Sequence, residues 1–251
     1  MRDGTLKNFL IRSFFPYGSV RKVLFGPCKG MKVRLSRESG HSILHGYEKD
    51  HQKFLAGKLK KGMIVCDIGA HVGEYALFFS KLVGMNGKVL SFEPYPDNFK
   101  NLQANVNLNH LNNVSYFFCA LGDEDRQVGF SFADGMSSMG KVSHVEASYE
   151  NMSSKKMMVP MKRLDDLIKE IRLKPDLLKI DVEGSAAIVI RGGLETIREC
   201  HPYLYVELHG PDEREAIQSL KNYGYKIFDL YGREIRDLTK EWHSPVWCAY
   251  S

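Results

Sequence analysis

The sequence predicts an α/β fold: a mostly parallel sheet with helices on both faces, preceded by an N-terminal arm. Two observations carry this. From Met63 onward, short β-rich apolar runs alternate with segments spaced as helices. Strands that alternate with helices form βαβ units, so their sheet is parallel and covered on both sides. The composition agrees: 43% of the 251 residues are hydrophobic and 26% charged, which suits a globular chain and excludes a disordered or collagen-like one.

The elements follow in order. Met63–Ile68 is a strand stopped by Gly69, and Val72–Val83 has helical apolar spacing. Lys88–Phe92 is a second strand, ended by Glu93-Pro94. Pro96–Leu108 is a helix with Phe99, Leu102, Val106 and Leu108 apolar. Val114–Ala120 is a third strand. Leu177–Val182 and Tyr203–Leu208 are two more, with a largely helical Ala186–Cys200 between them. Ligands of such a sheet lie beyond the carboxyl ends of its strands. Residues 1–62 form the arm, with weak strand signals at Val20–Phe25 and Met31–Leu35, and residues 63–251 form the main domain. Residues 134–156, rich in Ser, Met and Lys, show little periodicity and read as a surface insertion or a lid.

Charge and cysteines narrow the function. Lys and Arg number 35 against 30 Asp and Glu, a net +5, too mild for a dedicated nucleic-acid binder. No apolar run is long enough to span a bilayer. The basic, partly apolar start lacks a small-residue cleavage site and does not read as a signal peptide. It leaves peripheral membrane contact by the arm open. Cys28, Cys66, Cys119, Cys200 and Cys248 are scattered and odd in number, so a reducing, cytoplasmic setting is expected. The histidines show no metal-site spacing. An ion at Asp181 and Glu183 would have too few ligands, so no metal is expected.

Three motifs carry chemistry. The first runs Asp67-Ile68-Gly69-Ala70-His71-Val72-Gly73, a strand, a tight turn and a helix start. A dinucleotide fingerprint needs glycine at position 71, where His71 would crowd a pyrophosphate. A phosphate-free cofactor tolerates it. S-adenosylmethionine is one, and its ammonium and sulfonium welcome a nearby carboxylate. The second motif is Glu93-Pro94 at the next strand tip, where an acid accepts both ribose hydroxyls; a helix-capping or exposed glutamate is the plain alternative. The third is Lys179-Ile180-Asp181-Val182-Glu183-Gly184 at a later tip. Alternation puts Lys179, Asp181 and Glu183 on one side of an extended chain.

With these residues in place, the chain resembles the FkbM-type S-adenosylmethionine-dependent methyltransferases. The resemblance runs from about Gly26 to Gly210. It includes Gly26-Pro27-Cys28-Lys29-Gly30, Gly46-Tyr47-Glu48, the three motifs above, Asn105-Val106-Asn107-Leu108-Asn109, Ala120-Leu121-Gly122-Asp123, Leu164-Asp165-Asp166-Leu167 and Pro202-Tyr203-Leu204-Tyr205-Val206-Glu207-Leu208-His209. It implies a seven-stranded, Rossmann-like class I methyltransferase sheet of order 3-2-1-4-5-7-6 with the seventh strand antiparallel. It also implies O-methylation of a hydroxyl on a sugar, polyketide, glycan or related molecule.

For the site, the resemblance implies cofactor contacts at Asp67, Gly69, Ala70, His71, Gly73, Glu93, Pro94 and Asp181. It sets Ala120 and Leu121 beside adenine and Asp123 near its exocyclic amine, although Gly-Asp-Glu-Asp is also plain turn composition. Glu48 is expected to reach the cleft from the arm, or to be a surface charge. Asp181 is the first candidate for the general base, with His209 and Glu183 behind it. Two positions depart from the family: His71 replaces the usual Asn, and Ala186 stands where an acid commonly follows. The second departure keeps open a non-catalytic or divergent cofactor-binding protein. Base methylation is disfavoured, because no Asn/Asp-Pro-Pro-aromatic run follows the fourth strand and the acids there would repel phosphates.

Overall fold

In the computed structural model of the chain, residues 16–36, 48–133, 136–143, 154–240 and 243–251 are described. The main sheet has seven strands: β3 (Ile64–Ile68), β4 (Lys88–Phe92), β5 (Val114–Phe117), β10 (Leu177–Ile180), β11 (Tyr203–Val206), β12 (Tyr225–Phe228) and β13 (Val246–Tyr250), in the order β12-β13-β11-β10-β3-β4-β5. β13 runs antiparallel to both neighbours and the other pairings are parallel. Numbered along the chain from β3, this is the implied 3-2-1-4-5-7-6 order of a class I methyltransferase sheet.

The parallel register sorts side chains between two faces. Cys66, Ile68, Leu178, Ile180, Leu204 and Val206 face one side and pack with Leu164, Ile168, Val189, Ile190, Ile197 and Ile217. Those partners come from α4 (Leu164–Ile171), α5 (Ala186–Gly192), α6 (Leu194–Cys200) and α7 (Pro211–Ser219). Val65, Val89, Leu177, Tyr205 and Trp247 face the other side and meet α1 (Lys49–Lys58), α2 (Glu74–Val83) and α3 (Pro96–Leu108). The arm adds a hairpin to this second layer, β1 (Val20–Lys22) paired antiparallel with β2 (Lys32–Arg34). Val23, Val33 and Leu35 of the hairpin and its flanks are buried there. Asn105 of α3 and Asn109, which caps its C-terminal end, accept the backbone N–H groups of Arg34 and Lys32 at 2.7 and 2.8 Å. Asn105 also donates to the Val72 carbonyl, tying the hairpin to the turn after β3.

Two expectations need correction. Val114–Ala120 is not one strand. β5 stops at Phe117, and the chain joins a second, four-stranded sheet as β6 (Ala120–Gly122), parallel to β9 (Ser154–Arg163). The apolar run continues across the break, so periodicity misses it. Gly122 lets the end of β6 lie close against β9, since a Cβ there would meet Met161 Sδ at 2.3 Å. Second, residues 134–156 are not simply a loop. Their described part belongs to β8 (Met136–Ser143) and the start of β9, in the order β6-β9-β7-β8 with β7 (Arg126–Ala133). β8 is an edge strand, which needs little apolar alternation; residues 134–135 and 144–153 lie outside the described residues. Ala186–Cys200 is largely helical as expected, divided into two helices that meet at Gly193. Four of the five cysteines are buried and all are free. Among the described residues no helix is long and apolar enough to cross a membrane.

Candidate active site

The sheet carries a polar row into an otherwise apolar layer. Register aligns Ser91, Asp67, Lys179 and Tyr205 across β4, β3, β10 and β11. All four are at most 1% exposed. One step further, past the strand ends, the same face presents Glu93, Gly69, Asp181 and Glu207.

The turn after β3 is built for close approach. Gly69 has φ +80°, and a Cβ on it would lie 1.9 Å from the Asp181 carbonyl oxygen, so the two strand tips touch only with glycine there. The N–H groups of Gly69 and Ala70 both donate to the Phe92 carbonyl. Those two residues therefore shape the turn and leave no N–H aimed at a ligand. Gly73, at φ +89°, starts α2. His71 has φ +52°, in the left-handed region where Asn and His are the tolerated non-glycine residues. An imidazole is therefore tolerated at this turn position. Its backbone N–H donates to Glu93 Oε2 at 2.8 Å, and the Tyr95 N–H donates to Glu93 Oε1 at 2.8 Å. Burial raises Glu93 to about 7 against these two donors. Pro94 follows, half-buried, and starts the run into α3.

Lys179 is the electrostatic centre. Its Nζ lies 3.5 Å from Asp67 Oδ1, 3.1 Å from Asp181 Oδ2 and 4.8 Å from the centre of the Tyr75 ring. Burial opposes its charge, but Asp181, Asp67 and Glu207 hold the ammonium above its ordinary range. Asp67 is pushed up to about 6 by burial, which Lys179 only partly offsets. Asp181 behaves oppositely. Burial raises it, yet Lys179 and His209 together hold it well below the carboxylate range.

Asp181, Glu183 and His209 come together. His209 Nε2 is 3.8 Å from Asp181 Oδ1, and Nδ1 is 3.5 Å from Glu183 Oε2. The pairing with Asp181 raises His209, with burial opposing and Glu183 adding to the rise. The His209 backbone is pinned by Glu213, which accepts its N–H and that of Gly210 on Oε2. Glu213 Oε1 accepts the N–H of Ala186. The carboxylate beside Ala186 thus comes from α7.

The arm reaches the same cleft. Glu48 Oε2 accepts the Tyr75 hydroxyl at 2.7 Å and lies 3.4 Å from His51 Nδ1; His51 Nδ1 is 4.0 Å from Glu207 Oε1. Glu48 is a cleft residue; its neighbours Gly46 and Tyr47 lie outside the described residues. Glu207 links the two sides, grouped with Glu48 and His51 on one and with Asp181 and His209 on the other. Burial and the Asp181 charge push it up to about 7. Burial and Glu48 push Glu74 up to about 8.

Ala120 and Leu121 are buried in core clusters, Ala120 with Ile188 and Phe130, Leu121 with Phe92. Asp123 pairs with Arg191 of α5 at 2.9 Å. Sequence reasoning missed Glu74, Tyr75, His51, Tyr205 and Glu213 as site residues. Glu207 was within reach of the strand-tip rule, but extending the strand to Leu208 hid it inside an element. Glu213 had a signal too, as the acid at the third position of a helix opened by Pro211.

The chemistry of this donor set fits a cationic cofactor. Both Asp67 oxygens, Glu74 Oε1 and Glu207 Oε1 are buried without a hydrogen-bond partner. An ammonium or sulfonium satisfies such oxygens, whereas a pyrophosphate would be repelled.

Comparison with known proteins agrees. The Methyltransferase FkbM domain model matches residues 67–227. Methyltransferase 1 of Beauveria bassiana is 30% identical over 143 residues, which is 51% of this chain and 57% of that protein. The hexuronic acid methyltransferase AglP of Haloferax volcanii is 24% identical over 212 residues, 81% of this chain and 82% of that one. Among solved structures, methyltransferase FkbM from Methylobacillus flagellatus aligns with a TM-score of 0.47 at 19% identity, covering 76% of this chain and 44% of that chain. Aeropyrum pernix fibrillarin with natively bound S-adenosyl-L-methionine aligns at 0.49 with 14% identity, covering 92% of this chain and 98% of that one. The chain spans little over half of the Beauveria relative and less than half of the Methylobacillus chain. The matched segment opens on Asp67 in β3, closes in β12 and takes in every acid of the cleft except Glu48; on that match the chain belongs to the Methyltransferase FkbM domain family.

Proposed function

We propose that the protein is an O-methyltransferase whose acceptor is a hydroxyl on a sugar, glycan, polyketide or related small molecule. The observation that carries this reading is the Glu183–His209–Asp181 arrangement beside the buried Lys179 at the tips of β10 and β11. S-adenosylmethionine supplies a methyl group on a sulfonium, which is already a good leaving group. The residues therefore need to orient the acceptor and take its proton.

A hydroxyl is a weak nucleophile while protonated, and a base with a pKa near the working pH serves it best. Asp181, first on sequence grounds, is a poor base because Lys179 and His209 hold it low. His209 is raised from 6.5 and suits the task better. With Nδ1–H directed at Glu183, its Nε2 is left to accept the proton. The 3.8 Å gap between Nε2 and Asp181 Oδ1 exceeds a hydrogen bond, so an acceptor hydroxyl can bridge it. In this reading Asp181 fixes the hydroxyl and stabilises the imidazolium, while Glu183 orients the ring, as the acid does in an acid–histidine–nucleophile triad. Glu74 and Glu207 would meet the cofactor's ammonium. Glu93 would take the ribose hydroxyls on its remaining lone pairs. The burial of Lys179 and Glu93 strengthens the electrostatic interactions they make.

The test is turnover with methyl-labelled S-adenosylmethionine over a panel of neutral sugars, uronic acids and polyketide alcohols. The product should survive alkaline hydrolysis, as a methyl ether does and a methyl ester does not. Base-labile label would move the reaction to a carboxylate. Cofactor binding with no transfer to any acceptor would favour the non-catalytic reading.

A further inference from the structure

The β1–β2 hairpin has a charge pattern that neither the fold nor methyl transfer requires. Residues 16–36 contain five cations, Arg21, Lys22, Lys29, Lys32 and Arg34, and no acid; that surplus equals the net +5 of the whole chain. Register places Lys22 directly opposite Lys32, and Val20 opposite Arg34. Directly paired residues share a face, and like charges facing each other across a pair weaken it. Val33 is fully buried against the body, so Val20, Lys22, Lys32 and Arg34 point outward. The alternation carries Leu24 to the same side.

Apolar groups accompany these charges. Val20 is 42% exposed, Leu24 47% and Phe25, in the tip, 56%. The presentation is firm. The β2 backbone is held by Asn105 and Asn109, and the tip is tied down by Lys81 Nζ, which donates to the Pro27 carbonyl at 2.6 Å. A firmly held, outward-facing basic strand pair edged with aliphatic and aromatic side chains is not explained by solubility alone.

We propose that this outward face, Val20, Lys22, Leu24, Lys32 and Arg34 with Phe25 at the tip, docks the enzyme on an anionic membrane surface. Anionic headgroups relieve the Lys22–Lys32 repulsion, and the acyl boundary takes Leu24 and Phe25. A nucleic acid would satisfy the charges but offers nothing to the aliphatic side chains. The inference does not depend on the identity of the methyl acceptor.

Co-sedimentation of the full chain with vesicles tests it. Wild type should pellet with phosphatidylcholine–phosphatidylglycerol vesicles, stay in solution with pure phosphatidylcholine, and be released by high salt. Lys22→Glu with Lys32→Glu should lower partitioning about 100-fold. Leu24→Ser with Phe25→Ser should lower it about tenfold. Lys226→Glu, on β12 at the far edge of the sheet, should change nothing. Lys22→Gln with Lys32→Gln removes the repulsion as well as the charge. It should melt no lower than wild type while still losing vesicle binding, which separates docking from folding. Any of four results overturns the proposal: no pelleting with anionic vesicles, equal pelleting with neutral ones, a Gln pair that binds as wild type, or full displacement from vesicles by single-stranded RNA.

Discussion

The two sides of the cleft hold their carboxylates by different means. On the β4 side, Glu93 is clamped by two backbone N–H groups, from His71 and Tyr95, each at 2.8 Å. On the β10–β11 side, Asp181 and Glu207 sit among titratable side chains: the Lys179 ammonium and the His209 and His51 imidazoles. Backbone donors do not titrate and do not move, so they suit a group that only binds. Side-chain cations exchange protons and change charge, so they suit a group that takes part in a reaction. On the proposed reading the difference divides cofactor binding from chemistry, and four experiments probe the division.

The largest effect is expected on turnover. His209→Gln keeps the size of the side chain and removes the base, so the rate should fall about 10²–10⁴-fold with cofactor affinity nearly unchanged. Asp181→Asn should fall less than His209→Gln if Asp181 steadies the acceptor and the imidazolium. Steady-state kinetics with calorimetric cofactor titration reads both. A greater loss in Asp181→Asn would return the base role to Asp181.

Next comes Lys179→Met, which strips the cation from between two acids that fold around it. Asp67 is fully buried and would be left without a counter-charge. Breaking a buried pair in this way costs about 3–5 kcal/mol, to be read by denaturant unfolding. A loss below about 1 kcal/mol would show that Asp67 takes up a proton at no great cost.

Glu93→Gln belongs to the binding side and should weaken cofactor affinity by about 1–3 kcal/mol, with the turnover of the saturated enzyme little changed. A change in turnover at saturation larger than the change in affinity would break the division between the two sides.

The sequence and the structure diverge where distant segments meet. Lys88–Phe92 and Pro96–Leu108 have the bounds that periodicity and Pro96 at the helix start predict. The acids Asp67, Glu93, Asp181 and Glu183 were legible because a parallel sheet must present its carboxyl tips to a ligand. The break between β5 and β6 was not, because an apolar run looks alike whether one sheet or two bury it. Tyr75, His51 and Glu213 were missed for a related reason. Each acts through a partner far along the chain or on another helix: Tyr75 on Glu48, His51 beside Glu207, Glu213 on Ala186. Local spacing carries no record of such contacts. Glu48 lay between, since its place ahead of a helix was visible but its partner was not.

The smallest effect, and the one that tests both sides at once, is on stability as a function of pH. Burial raises Glu93 and Glu207 to about 7 and Glu74 to about 8, all above the ordinary 4.5. A carboxylate raised on folding contributes stability that is present below its unfolded value and lost as pH climbs through its folded one. His51 and His209, raised from 6.5, lose their contribution in the same direction. Asp181, held low, changes only in acid, outside this window. The cofactor-free enzyme should therefore melt at a falling temperature between about pH 5 and pH 7.5. A bound cation needs those carboxylates ionised, so the melting shift produced by S-adenosylmethionine should widen over the same range, by about 2–4 °C per kcal/mol. Staying below about pH 7.7 keeps the cofactor's own ammonium protonated. Glu207→Gln should flatten the widening, and Glu93→Gln should flatten it less, because in the proposed reading Glu93 meets the ribose hydroxyls and not the cation. A cofactor shift independent of pH in wild type would mean that these carboxylates do not face the cation. Equal flattening in the two variants would mean that Glu93 meets the cation as Glu207 does.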